Sequence, residues 1–220
     1  MISTCISKKN LQMELQNLES FSNPKQNLEQ YPTSAHVASD ILFDMQTRHD
    51  AIEGKVVGDL GCGTGMLSIG AHLLDASFVV GFDIDEDAIS DFQLNLEGNF
   101  SPESAARINL VVTDVKKLSP PTVKPFDTVI LNPPFGTTDK NKGIDVEFLK
   151  VGLSMSNEHV YSLHKTTTRR HIVKTVQGLG ANCEVIAELR FDIPKMYTRH
   201  KQASKDIAVD FVHSWFDQSV

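Results

Sequence analysis

The chain has 220 residues, 40% of them hydrophobic, and a formal net charge of −7, which fits one α/β domain with a short extension. Its acidity argues against indiscriminate nucleic-acid binding, which relies on Lys and Arg to neutralise phosphates. No apolar run approaches the roughly 20 residues of a membrane span, and the N-terminal segment lacks the apolar stretch of a signal peptide, so we expect an intracellular protein. The scattered cysteines predict neither a disulfide framework nor a metal site: Cys5, Cys62 and Cys183.

The N-terminal part of the chain predicts a helical extension. Leucines recur at helical spacing over residues 8–22, before an Asn-Pro pair that ends the pattern. A second break at residues 30–33, Gln-Tyr-Pro-Thr, precedes a helical stretch over 34–49. We therefore divide the chain into an N-terminal helical extension, residues 1–50, and a main domain, residues 51–220.

In the main domain, short apolar runs alternate with helical patterns. This alternation predicts an α/β fold with a mainly parallel sheet, helices on both faces and an antiparallel C-terminal edge. The helices are expected at residues 66–75, 86–96, 146–156 and 167–178. The strands are expected at residues 55–60, 78–84, 108–113, 126–131, 160–163, 184–191 and 206–215.

A glycine-rich loop, Asp59-Leu-Gly-Cys-Gly-Thr-Gly65, follows the first strand and opens a helix. Its glycines permit positive φ and let a ligand approach the backbone closely. Asp83 ends the next strand, about 20 residues further on, which is the spacing of a carboxylate that grips a ribose. The pattern predicts a nucleoside-containing ligand, and a glycine-rich turn without a ligand is the alternative.

The loop favours a cationic ligand over a dinucleotide. The dinucleotide pattern would place its third glycine at position 66, where this chain has Met66. Asp59 is poorly placed for a phosphate but complements an ammonium or sulfonium group by charge. S-adenosylmethionine carries both groups and is therefore the expected ligand.

The sequence Asn132-Pro-Pro-Phe135 follows the fourth strand. Neither proline can donate to a ladder, so the strand ends there, and the residue before a proline is held extended. The Asn132 amide, the Pro133 carbonyl and the Phe135 ring then lie at a strand end, and together they suit gripping a flat amino group. A Pro-rich turn and core packing of Phe135 are the alternatives. Asp114, which ends the third strand, could likewise contact an adenine or cap a turn.

The order of these motifs resembles that of class I S-adenosylmethionine-dependent methyltransferases. The Asn-Pro-Pro-Phe motif resembles the signature of enzymes that methylate planar amino groups. Further blocks are similar to the methyltransferase-like protein 5 family over nearly the whole chain: residues 30–33, 57–63, 81–88, 126–130, 132–137, 161–165 and 187–190.

The resemblance implies a Rossmann-like class I methyltransferase fold with a seven-stranded sheet. It implies that the enzyme forms N6-methyladenosine in small-subunit (18S) ribosomal RNA by methyl transfer to the amine of a flipped adenine. It also implies a heterodimer with a small activator subunit shared among several methyltransferases, present in the nucleus, nucleolus and cytoplasm.

The resemblance also implies roles for particular residues. Asn132, Pro133, Pro134 and Phe135 would hold the target base. Asp83 would hold the ribose of the cofactor. The other residues expected to contact the cofactor are Gln30 and Thr33 from the N-terminal segment, Asp59, Gly61, Gly63, Thr64 and Met66 around its methionine end, and Asp114 with Val115 at its adenine.

Two basic clusters, at residues 164–171 and 195–201, are candidate RNA contacts, and solvated surface is the alternative for each. A methyltransferase for a protein glutamine amide, or for another nucleobase amine, remains open, because each presents a similar planar group. An inactive binding module is less compatible with an intact acidic loop and an intact Asn-Pro-Pro-Phe motif. The RNA-contact candidates are His164, Lys165, Arg169, Arg199 and Lys201.

Overall fold

The computed structural model describes residues 6–118, 124–136, 141–194 and 204–217. Seven α-helices occur in these ranges: α1 Lys8–Leu15, α2 Ala35–His49, α3 Met66–Leu73, α4 Glu86–Asn99, α5 Pro102–Ala105, α6 Ile144–Met155 and α7 Arg169–Gly178. Seven strands form one sheet: β1 Val56–Leu60, β2 Phe78–Asp83, β3 Ile108–Val112, β4 Phe126–Leu131, β5 Ser156–Lys165, β6 Asn182–Pro194 and β7 Ser204–Trp215. No helix in the described part of the chain is long and apolar enough to span a membrane.

The strands lie in the order β3-β2-β1-β4-β5-β7-β6. The pairs β1–β2, β2–β3, β1–β4 and β4–β5 are parallel. The strand β7 is inserted between β5 and β6 and is antiparallel to both. The sequence-based fold prediction, a mainly parallel sheet with an antiparallel C-terminal edge, is therefore confirmed.

Helices cover both faces because the strands alternate their buried side chains. In β4, Ile130 belongs to one hydrophobic cluster, whereas its neighbours Val129 and Leu131 belong to another. The first cluster contains side chains from α1 to α4, and the second contains side chains from α6 and α7. Alternation with a period of two is what places these neighbours on opposite faces.

The N-terminal helices belong to the core of one face. Leu11 and Leu15 of α1 are fully buried in the same cluster as Leu42 of α2 and Ile69 of α3. The contact between α2 and α3 is so close that a Cβ on Gly70 would lie 2.3 Å from Leu42. This packing brings the segment between α1 and α2 to the carboxyl ends of β1 and β2, where it lines a cavity.

The structure extends some predicted elements. β5 runs from Ser156 to Lys165, well beyond the predicted 160–163, because it pairs with β4 on one side and β7 on the other. The apolar pattern predicted too short a strand because polar residues occur at both ends of β5. The short helix α5 was not predicted from the sequence.

Candidate active site

A cavity opens at the carboxyl ends of β1, β2 and β4. From β1 the chain continues to β2 and β3 on one side of the sheet and then to β4 and β5 on the other, so the strand order reverses between β1 and β4. This reversal is where open α/β sheets bind their ligands. Asn132 and Pro134 also line the cavity. The structure thus brings together all the residues predicted to contact a cofactor: Gln30, Thr33, Asp59, Gly61, Gly63, Thr64, Met66, Asp83, Asp114 and Val115.

The glycine loop needs glycine for both conformation and space. Gly63 and Gly65 have φ values of +53° and +93°, a region that other residues rarely adopt. A Cβ on Gly63 would lie 2.8 Å from Phe21, and a Cβ on Gly65 would lie 2.4 Å from Phe92. The loop is therefore fixed between the N-terminal segment and α4.

Asp83 fastens the glycine loop to the end of β2. One carboxylate oxygen accepts a hydrogen bond from the Gly63 backbone N–H, and the other accepts from the Asp85 N–H, both at 2.9 Å. Burial raises the pKa of Asp83, and the two backbone bonds oppose that rise. Because an ionised carboxylate has about four acceptor positions, Asp83 can hold the loop and still accept bonds from ligand hydroxyls.

Asp59 is a buried carboxyl group beneath the cavity. It is 1% exposed and accepts a hydrogen bond of 2.6 Å from the Ser68 hydroxyl. Burial raises its pKa to about 7, and the negative charge of Asp83 adds to the rise. A cationic ligand group nearby would favour the ionised form, so this site can respond to ligand charge at neutral pH.

Asp114 both lines the cavity and caps a turn, the two alternatives that its position in the sequence allowed. It lines the cavity, and one of its oxygens accepts a hydrogen bond of 3.1 Å from the Lys116 N–H, so it also caps the short 3₁₀ turn over residues 115–117. Val115 beside it is buried and contributes an apolar wall.

Asn132 is joined to the N-terminal segment. Its Nδ2 donates a hydrogen bond of 2.8 Å to Thr33 Oγ1. This bond fixes the orientation of the amide, with the nitrogen turned to Thr33 and the oxygen turned away from it. Thr33 was expected to contact the cofactor. In the structure it also contacts the predicted catalytic amide, which the sequence did not indicate.

Phe135 lies in the core. Its side chain is 6% exposed and meets Phe191 edge to face, with ring centroids 5.8 Å apart. It is not among the residues that line the cavity. The structure therefore shows the core-packing alternative for Phe135, and its stacking on a base stays a prediction.

Gln30 holds the N-terminal segment in place. Its Nε2 donates to Asp85 Oδ2 at 2.7 Å, and its Oε1 accepts from the Lys25 N–H at 2.7 Å. The Lys25 ammonium forms a salt bridge with the same Asp85. Gln30 therefore lines the cavity, and its side-chain amide also holds the N-terminal segment against the start of α4.

The residues of the basic cluster at 164–171 that were predicted to contact RNA lie in different environments. His164 is fully buried, with Nδ1 3.1 Å from Asp145, so its assignment to the RNA surface was wrong. Arg169 donates to both oxygens of the buried Asp210, at 2.7 and 2.6 Å, and to Glu188. Lys165 is half-buried, with Nζ 3.5 Å from the Gly136 carbonyl.

Arg199 and Lys201, the remaining predicted RNA contacts, lie outside the described residues. His164 was misassigned because β5 continues through it: at that position the strand is paired with β7, opposite the buried Asp210, and the imidazole lies inside the protein beside Asp145 of α6.

Several cavity residues had no motif in the sequence. Phe148 lies beneath Gly61, where a Cβ would be only 3.2 Å from its ring. Only the helical periodicity of α6 could have suggested an inward position for it. The other cavity residues that were missed include Phe21, Leu28 and Ile144. No group of three His, Cys, Asp or Glu side chains suited to a metal occurs in the described ranges.

Comparison with known proteins identifies the family. The model of the ribosomal protein L11 methyltransferase family (PrmA) matches residues 34–132. The chain is 50% identical to the rRNA N(6)-adenosine-methyltransferase METTL5 of Danio rerio, over 93% of this chain and 96% of the relative. It is 48% identical to the Drosophila melanogaster rRNA N(6)-adenosine-methyltransferase Mettl5, over 91% and 92%.

Among solved structures, the Pyrococcus horikoshii protein PH1948 superimposes with a TM-score of 0.83 at 35% identity, covering 96% of this chain and 98% of that one. The fold is thus shared over nearly the whole length of both proteins. With a common architecture and this level of identity to full-length relatives, the chain belongs to the METTL5 family of rRNA N(6)-adenosine-methyltransferases.

Proposed function

We propose that the protein methylates the N6 amine of an adenine in small-subunit (18S) ribosomal RNA, with S-adenosylmethionine as the methyl donor. The observation that carries this proposal is the position of Asn132: its amide, fixed by Thr33, stands on the wall of the same cavity that contains Asp59 and Asp83. Its family supplies the substrate class, because the relatives are named rRNA N(6)-adenosine-methyltransferases.

The cavity residues fit such a donor. Asp59 provides a buried carboxylate for a cationic amino acid end, and Asp83 provides acceptors for ribose hydroxyls. Val115 and Phe148 provide apolar walls for a purine ring. When bound, S-adenosylmethionine supplies an electrophilic methyl group on its sulfonium.

Asn132 and Pro133 would prepare the amine for attack. The lone pair of an adenine amine is delocalised into the ring, which makes the nitrogen a poor nucleophile. The Asn132 side-chain oxygen and the Pro133 carbonyl can each accept a hydrogen bond from one N–H of the amine, and this localises the lone pair on the nitrogen. Neither group is a strong base, so their contribution is orientation and electrostatic preorganisation, and the proton passes to water after transfer.

An adenine can reach this pocket only when it leaves its base stack. Unstacking is least costly in loops and single strands, so a single-stranded or flipped target is the substrate that the site favours. Residues of the N-terminal segment line the same cavity as Asn132 and Pro134.

The proposal includes a heterodimer with a small activator subunit. The exposed edge of the sheet at β3 supports this part of the proposal. Among the described strands, β3 pairs only with β2, and Val111 and Val112 on it are 37% and 48% exposed. Ile84, at the end of the neighbouring strand β2, is also exposed. Such a complex, acting on ribosomal RNA, would work in the nucleus, nucleolus and cytoplasm.

Nucleoside mass spectrometry tests the function. Small-subunit ribosomal RNA from cells lacking the protein would be methylated in vitro by the wild type, by Asn132→Ala and by Asn17→Ala, an exposed asparagine in the turn after α1. We expect N6-methyladenosine from the wild type and the Asn17 variant, and a loss of about 100-fold in Asn132→Ala. Methylation of a glutamine peptide in place of RNA would overturn the proposal.

A further inference from the structure

Residues 19–33 form a strap that crosses the cavity from α4 to Asn132. At its first end, the Glu19 N–H donates to Asn95 Oδ1 at 2.8 Å, and Asn95 Nδ2 donates back to the Glu19 carbonyl at 3.0 Å. The same Asn95 Nδ2 donates to the carbonyl of Thr64 in the glycine loop at 3.0 Å. One buried amide on α4 thus holds both the strap and the loop.

The middle of the strap is fixed to the start of α4. Ser22 donates through its N–H and its hydroxyl to Asp91 Oδ2, at 2.9 and 3.1 Å. Gln30 and Lys25 both bind Asp85, the N-cap of α4. These polar contacts repeat along one side of the helix, so the strap follows α4 rather than packing as an independent loop.

The far end of the strap contacts the substrate side of the cavity. Thr33 Oγ1, on a side chain 8% exposed, accepts the 2.8 Å hydrogen bond from Asn132 Nδ2. Nearby, Asn141 Nδ2 donates to the Asn27 carbonyl at 3.0 Å and to Glu29 Oε1 at 2.9 Å. The segment that lines the donor cavity is therefore bonded directly to the amide that would hold the target amine.

We propose that Thr33 is a positioning residue for Asn132, and that the strap couples donor binding to the orientation of this amide. The inference rests on the proposed function for the role of Asn132. A donor that fills the cavity would contact the strap, because residues of the strap line that cavity. The hydroxyl of Thr33 then holds Asn132 Nδ2, which aims the amide oxygen at the amine. Donor binding should accordingly precede productive substrate binding.

Two variants at position 33 separate positioning from cofactor contact. Thr33→Val keeps the shape but removes the acceptor, and Thr33→Ser keeps the hydroxyl. For the full chain acting on small-subunit ribosomal RNA, we expect Thr33→Val to lower kcat about tenfold while the Kd for the donor stays within about twofold by calorimetry. Thr33→Ser should retain kcat to within about threefold. Thr33→Ala repeats the test if Thr33→Val melts well below the wild type.

A nuclear magnetic resonance measurement reads the coupling without RNA. S-adenosylhomocysteine, a stable analogue of the donor, should shift the side-chain amide signals of Asn132 in the wild type and in Thr33→Ser, but not in Thr33→Val. Wild-type kcat in Thr33→Val, equal losses of donor affinity and activity, or identical Asn132 shifts in both variants would overturn the inference. If the wild type binds the donor but does not methylate RNA, only the proposed function is contradicted. The comparison of the Asn132 signals between the variants still tests the coupling.

Discussion

Two regions of the sheet use charged residues in different ways. On the donor side, at the ends of β1 to β3, Asp59, Asp83 and Asp114 line a cavity. In the antiparallel region, formed by β5, α7, β6 and β7, two residues of the basic cluster form pairs inside the protein. Arg169 is bonded to the buried Asp210, and His164 is bonded to Asp145.

The difference arises from what lies beside the end of each strand. Asp83 terminates β2 and Asp59 lies one residue before the end of β1, so their carboxylates reach the carboxyl edge of the sheet. His164 also lies one residue before the end of β5, beyond the last pair with β4, but it is fully buried. It lies opposite Asp210 of β7, and its Nδ1 is 3.1 Å from Asp145 of α6. A polar residue at a strand end can reach a ligand where a cavity opens beside it, whereas one that other elements cover must find a partner in the protein.

The largest effect that separates the two regions should come from Asp83. We expect Asp83→Ala to raise the Kd for S-adenosylmethionine about 100-fold, because it removes the acceptor of the Gly63 N–H as well as the ligand contact. Isothermal calorimetry measures this Kd, with Glu86→Gln, an exposed acid in the first turn of α4, as the matched control. A change of less than threefold in Asp83→Ala would place the donor elsewhere.

Asp59 should make donor binding depend on pH. Its pKa is raised to about 7 by burial, so the carboxyl is largely protonated at pH 6 and largely ionised at pH 8. The ionised form attracts a cationic donor, so the Kd should fall about tenfold over that interval and binding should release protons. Calorimetry in buffers of different ionisation enthalpy measures the release, and Asp59→Asn should abolish both effects. An unchanged pH profile in Asp59→Asn would assign the dependence to another group.

The sequence could indicate which residues line the cavity, because the signals there are local. Gly61, Gly63 and Asp83 follow strands that short apolar runs identify, and the topology then brings them together. The strap contacts could not be predicted in this way. Thr33 and Asn132 are 99 positions apart, and nothing in either local pattern indicates a hydrogen bond between them. The burial of Phe135 could not be predicted either, because its ring packs against Phe191, a residue of a distant strand.

In the antiparallel region, Arg169 should affect stability rather than RNA binding. Burial alone would raise the pKa of Asp210, but hydrogen bonds from Arg169 and Thr166 hold it below its usual value. A lowered pKa means that this pair stabilises the fold above the ordinary pKa of Asp and that its contribution is lost as the pH falls through the folded-state pKa. Arg169→Ala should therefore lower Tm by a few degrees at pH 7, and by less near pH 3.

Calorimetric melting of Arg169→Ala beside Arg170→Ala checks this, because Arg170 is the exposed neighbour in the same helix. Equal Tm values for the two variants, together with weaker RNA binding by Arg169→Ala, would return Arg169 to the RNA surface.

The smallest effect should come from Lys165, the one described residue of the predicted RNA contacts that lacks an ion pair within the described chain. Its Nζ lies 3.5 Å from the Gly136 carbonyl, a long contact that leaves the ammonium able to turn to a phosphate beside the Asn-Pro-Pro-Phe turn. We expect Lys165→Ala to raise the KM for RNA about threefold and to reduce the slope of log KM against log salt by about one, with kcat unchanged. Lys174→Ala, an exposed lysine on α7, is the control. If the salt slope is unaltered and kcat falls instead, Lys165 braces the turn and the RNA path lies elsewhere, so the antiparallel region would be structural throughout.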